Sequence, residues 1–147
     1  MRHINLQKAA PRQVARKSLA HPGIGPKCYY MATVLIVEDD GDLRETLAEL
    51  LRLNGYSVLT ASNGREALCY LRSGEPPRVI LLDLMMPIMD GWEFRNALAT
   101  DPSLARVPIV VLSGVDSTAG ENHFRAAEHL TKPVTLDAVL SAVQTYS

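Results

Sequence analysis

The chain is poor in cysteine. Cys28 and Cys69 are its two cysteines; they are too few for a disulfide framework and form no C-x-x-C pair. That excludes the small stapled secreted folds and points to a reducing cytoplasm. No apolar run approaches the ~20 residues of a membrane span, no secretory leader is visible, and no internal repeat occurs. Acid is missing from one part only. Residues 1–31 carry six basic side chains (Arg2, Lys8, Arg12, Arg16, Lys17, Lys27) and no Asp or Glu, whereas the rest sets nine basic residues against all 16 acids. The part that holds the apolar runs is therefore acidic and a poor general binder of nucleic acid.

The basic segment contains Pro11, Pro22, Gly23, Gly25 and Pro26 and has no sustained apolar period. It reads as a disordered N-terminal extension over 1–31, ahead of a single domain over 32–147. Contact with nucleic acid or anionic lipid, or a role as an organellar transit peptide, are alternatives for it. Met31-Ala32-Thr33 leads straight into an apolar run like a natural start, so an inert extension is the simpler expectation. At 47% hydrophobic and 21% charged, the chain suits one globular domain with a proper core.

What the chain does have is a series of short apolar runs that stop at polar groups. The central one lies in R-V-I-L-L-D-L-M-M-P-I-M-D-G, Arg78 to Gly91. Val79 to Leu82 suits a strand buried on both faces of a parallel sheet; it ends at Asp83, and Pro87 forbids further pairing. Thr33 to Val37 is a similar run, ending in Glu38, Asp39 and Asp40. Asp42 begins a helix with Leu43, Leu47, Leu50 and Leu51 on one face, closed by Asn54-Gly55. Ser57 to Ala61 gives a short strand, and Asn63 with Glu66 a capping-box start for a helix carrying Ala67, Leu68 and Leu71. Cys69, in that helix, reads as a small core or boundary residue. Gly91 to Thr100 forms the next helix, with Trp92 packing near its start.

Ile109 to Leu112 is a further buried strand, ending in Ser113-Gly114. Thr118 and Glu121 cap a short helix expected to run through Ala127. Glu128 to Thr131 makes a fifth strand before Lys132-Pro133, and Thr135 opens a last helix with Leu136, Val139, Leu140 and Val143 inward. Five strands alternating with five helices make a doubly wound three-layer α/β/α sheet.

Right-handed crossovers bring all five strand ends to one edge, where open α/β sheets keep their chemistry. Glu38, Asp39, Asp83, Ser113 and Lys132 collect there. Alone, Asp83 reads as a strand-end or turn residue, Ser113 as a turn residue and Lys132 as a solvated charge. Together they describe a site. Two carboxylates ~4 Å apart repel by ~4 kcal/mol at an effective dielectric near 20, so their crowding calls for counter-charge. Lys132 supplies one charge, and all-oxygen ligands with no His or Cys nearby favour Mg²⁺ for the rest. Asp83 is then a carboxylate nucleophile able to accept a phosphoryl group.

The motifs V-L-I-V-E-D-D, L-L-D-L-M-M-P-I-M-D-G, V-V-L-S-G and L-T-K-P resemble those of the response-regulator receiver domain, from Thr33 to about Thr145. The resemblance implies a flavodoxin-like or CheY-like sheet of order 2-1-3-4-5. It implies Asp83 as phosphoacceptor, Asp39 as a direct Mg²⁺ ligand, Glu38 as the acid reaching the ion through water, and Met85 as a backbone-carbonyl ligand. Ser113 matches the switch hydroxyl and Lys132 the phosphate-pairing lysine. The expected partners are a sensor histidine kinase or histidine phosphotransfer protein and a downstream effector protein, with no direct nucleic acid and no membrane. The last helix lacks the paired charges of dimerising members, so a cytoplasmic monomer is expected. No output domain is expected after the last helix.

The sequence also departs from the family pattern. His129 stands where the family has Tyr or Phe as a switch rotor, and an imidazole can charge near neutral pH. The segment from Ser113 to Lys132 is about three residues short, so a shortened or irregular fourth helix is expected. Met85 and Val115, apolar at positions that can orient an attacking water, imply slow self-dephosphorylation.

Three rivals remain. A haloacid-dehalogenase-like Mg²⁺ phosphatase would need an acid where Met85 stands. A flavodoxin-like flavin binder would need phosphate donors where the loop after the first strand is acidic. A receiver-shaped interaction module that is never phosphorylated would suit His129 and the short fourth helix. The expected protein accepts a phosphoryl group and is not an enzyme in the turnover sense.

Overall fold

The computed structural model describes residues 31–114 and 125–147. Strands β1 (Met31–Val37), β2 (Tyr56–Ala61), β3 (Val79–Asp83), β4 (Ile109–Ser113) and β5 (Glu128–Thr131) form one parallel sheet in the order β2-β1-β3-β4-β5. Helices α1 (Gly41–Leu53), α2 (Gly64–Ser73), α3 (Gly91–Ala99) and α4 (Leu136–Tyr146) are those found among the described residues.

The unbroken apolar strands are explained by two separate cores. Val34, Ile36, Val79, Leu81, Val110 and Leu112 face Leu47, Ala48 and Leu51 of α1 and Val139, Ala142 and Val143 of α4. The alternate residues Leu35, Val37, Ile80, Leu82 and Val111 face Ala67, Leu68 and Leu71 of α2 and Phe94 and Leu98 of α3. Period-two side chains serve both faces only when every position is apolar. Among the described residues, each face is thus covered by one helix pair.

Local chemistry sets the helix ends. Asp40 caps α1, its Oδ1 accepting from Asp42 N at 3.0 Å and Leu43 N at 3.2 Å, so the helix begins at Gly41 rather than at Asp42. Gly55, at φ 89°, follows its end. Asn63 caps α2 by accepting from Glu66 N at 2.9 Å, yet Glu66 turns its carboxylate to Ser62, taking both N (2.9 Å) and Oγ (2.7 Å). The expected reciprocal box is therefore displaced by one residue. A complete one opens α3, where Asp90 and Glu93 each accept from the other's backbone N–H.

Three expectations change. The helix opening at Thr118 falls mostly on residues 115–124, outside the described residues, and its expected end is not helical. Residues 125–127 lead into β5 instead, with Ala127 N donating to Ile109 O at 2.8 Å. Cys69 is exposed, because the buried stripe of α2 runs through Gly64, Ala67, Leu68 and Leu71 and position 69 turns away from it. Leu136 is 44% exposed; it sits in the first turn of α4, off the packed stripe of Val139, Ala142 and Val143. Trp92 packs against the α2–α3 core as expected. Among the described residues no helix is long and apolar enough to cross a membrane.

Candidate functional site

The register aligns the strand ends along one edge. Val37 pairs with Leu82, Asp83 with Leu112, and Ser113 with Thr131. The residues that leave β1, β3, β4 and β5 thus emerge side by side. Glu38, Asp39 and Asp83 each offer a carboxylate oxygen, and these atoms lie within 4.8 Å of one another. Glu38 is fully buried, Asp83 nearly so, and Asp39 is exposed at the mouth.

Lys132 supplies the cation. Its Nζ lies 2.8 Å from Glu38 Oε2 and 3.4 Å from Asp83 Oδ2. Glu38 Oε1 accepts from Asp40 N at 3.1 Å. Glu38 Oε2 makes the ionic contact with Lys132 but accepts no directed hydrogen bond. Asp83 Oδ1 accepts from Met85 N at 3.2 Å. Lys132 is placed by the strand before it, with Lys132 N donating to Ser113 O at 2.6 Å, and its peptide bond to Pro133 is cis.

This crowding shows in the acidities. Burial, then a hydrogen bond to Asp39 and the charge of Glu38, push Asp83 up to about 7, against the opposing pull of Lys132 and the Met85 N–H. For Asp39, burial alone would raise the carboxyl; its hydrogen bonds with Asp83, Glu38 and its own backbone outweigh that and hold it below the usual range. Burial likewise opposes the charged form of Lys132, and the two carboxylates overcome it, raising the ammonium. One cation is too little for three acids, so the crowding raises the Asp83 carboxyl while Asp39 stays low. The donor set is hard oxygen, no Cys or His belongs to it, and one ammonium faces its three carboxylates. Such a site fits Mg²⁺.

The sequence-predicted residues fall unevenly. Glu38, Asp39, Asp83 and Lys132 come together as expected. Ser113 is buried at the end of β4, beside Asp83 on the next strand. Met85 is 68% exposed at the rim, with its N–H rather than its side chain turned to Asp83. His129 lies on β5 opposite Val111, with its side chain exposed rather than in the core. Val115 lies outside the described residues.

Sequence reasoning missed three residues. Arg44 Nη1 donates to Glu38 O at 2.8 Å and Asp39 O at 3.4 Å. A basic side chain in a helix's first turn, where the dipole disfavours it, was the available signal. Gly91 N donates to Leu84 O at 2.9 Å, and a Cβ at Gly91 would meet Leu84 Cα at 2.8 Å and Asp83 O at 2.9 Å. Ile88 carries φ 71° in a tight turn where Met89 N donates to Pro87 O at 2.8 Å; no residue pattern announces a β-branched side chain there.

Residues 34–144 match the response regulator receiver domain. The chain belongs to that family. This receiver is 40% identical over 116 residues to the response regulator MprA of Mycolicibacterium vanbaalenii, with 76% of this chain and 48% of that protein covered. The chain therefore spans about half the length of MprA. It is 29% identical to the protein PilH of Pseudomonas aeruginosa, with 77% of this chain and 95% of PilH covered. Among solved structures, the chemotaxis response regulator CheY4 of Vibrio cholerae superimposes on this receiver with TM-score 0.72 at 30% identity. That match covers 80% of this chain and 99% of CheY4. The signal receiver domain of a histidine kinase from Syntrophus aciditrophicus gives TM-score 0.73 at 29% identity, covering 79% of this chain and 89% of that one. The sheet order expected from the resemblance is the one observed.

Proposed function

We propose that this receiver, over residues 32–147, accepts a phosphoryl group on Asp83 from a sensor histidine kinase or histidine phosphotransfer protein. The observation that carries the reading is the convergence of Glu38, Asp39 and Asp83 within 4.8 Å, with the Lys132 ammonium bridging Glu38 and Asp83. An Asp83 oxygen attacks phosphorus as the nitrogen–phosphorus bond of the donor breaks and the imidazole leaves with the electron pair. Asp39, Asp83, the Met85 carbonyl and, through water, Glu38 would hold Mg²⁺, which would supply positive charge to offset the negative charge on the transferring oxygens. Lys132 ion-pairs with one phosphoryl oxygen, and the Ser113 hydroxyl donates to another.

The acyl phosphate draws Ser113 inward and biases the β5–α4 face, where His129 stands in place of an aromatic rotor. A second protein reads that face; nucleic acid and membrane do not enter, and the receiver works as a cytoplasmic monomer. The exposed Met85 provides no group to orient a hydrolytic water, so the acyl phosphate is long-lived and no turnover of phosphomonoesters follows. Acetyl phosphate tests the reading: wild type gains a phosphoryl mass of about 80 Da with MgCl₂ and gains none when EDTA replaces the MgCl₂, while Asp83→Asn never gains it. An unmodified wild type overturns it.

A further inference from the structure

We propose that Arg44 is a positioning residue for Mg²⁺ in this site, holding Glu38 and Asp39 in the backbone geometry that lets two consecutive acids face one ion. The inference rests on the Mg²⁺ reading above. Side chains of successive strand residues point to opposite faces, so Glu38 and Asp39 cannot share a site while β1 continues. The strand ends at Val37 and the chain bends at Asp39. Several hydrogen bonds pin that bend. Glu38 N donates to Ala61 O at 3.0 Å and Asp40 N to Glu38 Oε1 at 3.1 Å, while the carbonyls of Glu38 and Asp39 both turn to one guanidinium. Arg44 Nη1 reaches them at 2.8 Å and 3.4 Å.

Two further observations separate this from an ordinary surface arginine. Arg44 is the fourth residue of α1, where a cation opposes the helix dipole, and the side chain nonetheless folds back toward the helix start. It is half-buried. The α1 backbone anchors it from behind, Arg44 N donating to Asp40 O at 2.9 Å. The guanidinium therefore clamps the acidic turn between β1 and its own helix, at a position that adds positive charge beside a cation site.

Those two effects have opposite signs, which makes the proposal testable. Removing a positive charge near the acids strengthens Mg²⁺ binding if Arg44 is only a charge. Removing the clamp weakens it. The measurement is Mg²⁺ affinity by amide chemical-shift titration with MgCl₂, on wild type, Arg44→Gln and Arg44→Lys, each first shown folded by its spectrum and melting curve. We expect Arg44→Gln to bind about tenfold more weakly, as for other groups that orient metal ligands. Both contacts come from one guanidinium nitrogen, so Arg44→Lys, which keeps the charge and a single donating nitrogen on a shorter side chain, lies between wild type and Arg44→Gln. Equal or tighter binding by Arg44→Gln overturns the proposal while leaving the Mg²⁺ site intact. A wild type that shows no Mg²⁺-dependent shifts overturns the site itself, and the proposal with it.

Discussion

The Lys132 ammonium lies 2.8 Å from Glu38 Oε2, and Glu38 is fully buried. A buried carboxylate with one cationic partner is the arrangement in which losing the partner costs most. Lys132→Met leaves Glu38 and Asp83 without it and is expected to lower the unfolding free energy by about 3 kcal/mol in EDTA. Urea denaturation measures this, and adding MgCl₂ is expected to recover part of the loss. A variant as stable as wild type in EDTA contradicts the pairing.

Asp83 carries the reverse liability. With its folded pKa pushed up to about 7, above the ~4 of an unfolded Asp, the native state holds the extra proton. Stability therefore falls as pH rises from ~4 to about 7, and the full penalty remains above that. Asp83→Asn removes the penalty. Its melting temperature in EDTA is expected to exceed that of wild type at pH 8, by about 2 kcal/mol in stability, with the gap closing toward pH 4. Saturating Mg²⁺ also narrows the gap. Parallel melting curves across that range would count against a crowded acidic site.

Gly91 presses on the backbone that carries Asp83. An added Cβ meets main-chain atoms, Leu84 Cα and Asp83 O, rather than a side chain that can swing away. Gly91→Ala is expected to destabilise the protein by about 2 kcal/mol or more and to shift the Asp83 amide resonance. An unperturbed spectrum disproves the contact.

Ile88 is held at φ 71° while its side chain is 67% exposed. Backbone strain of about 1–3 kcal/mol at such a position exceeds what glycine's added unfolded-state freedom takes away, about 0.5–1 kcal/mol. Ile88→Gly is thus expected to stabilise the fold by up to about 1 kcal/mol, read from the denaturation midpoint. A loss of stability means that the side chain makes contacts the exposure conceals.

Much of this molecule is readable from residue order. Val79 to Leu82 and Ile109 to Leu112 announce buried strands because both faces of the sheet are covered, and Lys132-Pro133 stops even the half-exposed E-H-L-T strand at the right residue. Glu38, Asp39, Asp83 and Lys132 could be named because a strand end is where a polar group interrupts an apolar run. The hidden features depend on geometry that residue order does not carry. Arg44 reaches backward across a turn to carbonyls five and six residues earlier. Glu66 chooses the Ser62 hydroxyl over the Asn63 backbone, so that cap is one-sided although its residue spacing equals that of the reciprocal Asp90–Glu93 cap. Cys69 is exposed because a single 100° step along α2 carries it off the buried stripe.

The site's central claim concerns where phosphorus lands. Borohydride reduction of an aspartyl phosphate yields the corresponding alcohol, so treatment after acetyl phosphate and MgCl₂, followed by peptide mass mapping, marks the acceptor. The account predicts homoserine at position 83 alone. Reduction at Asp39, at Glu38, or at no carboxyl of the chain would contradict it.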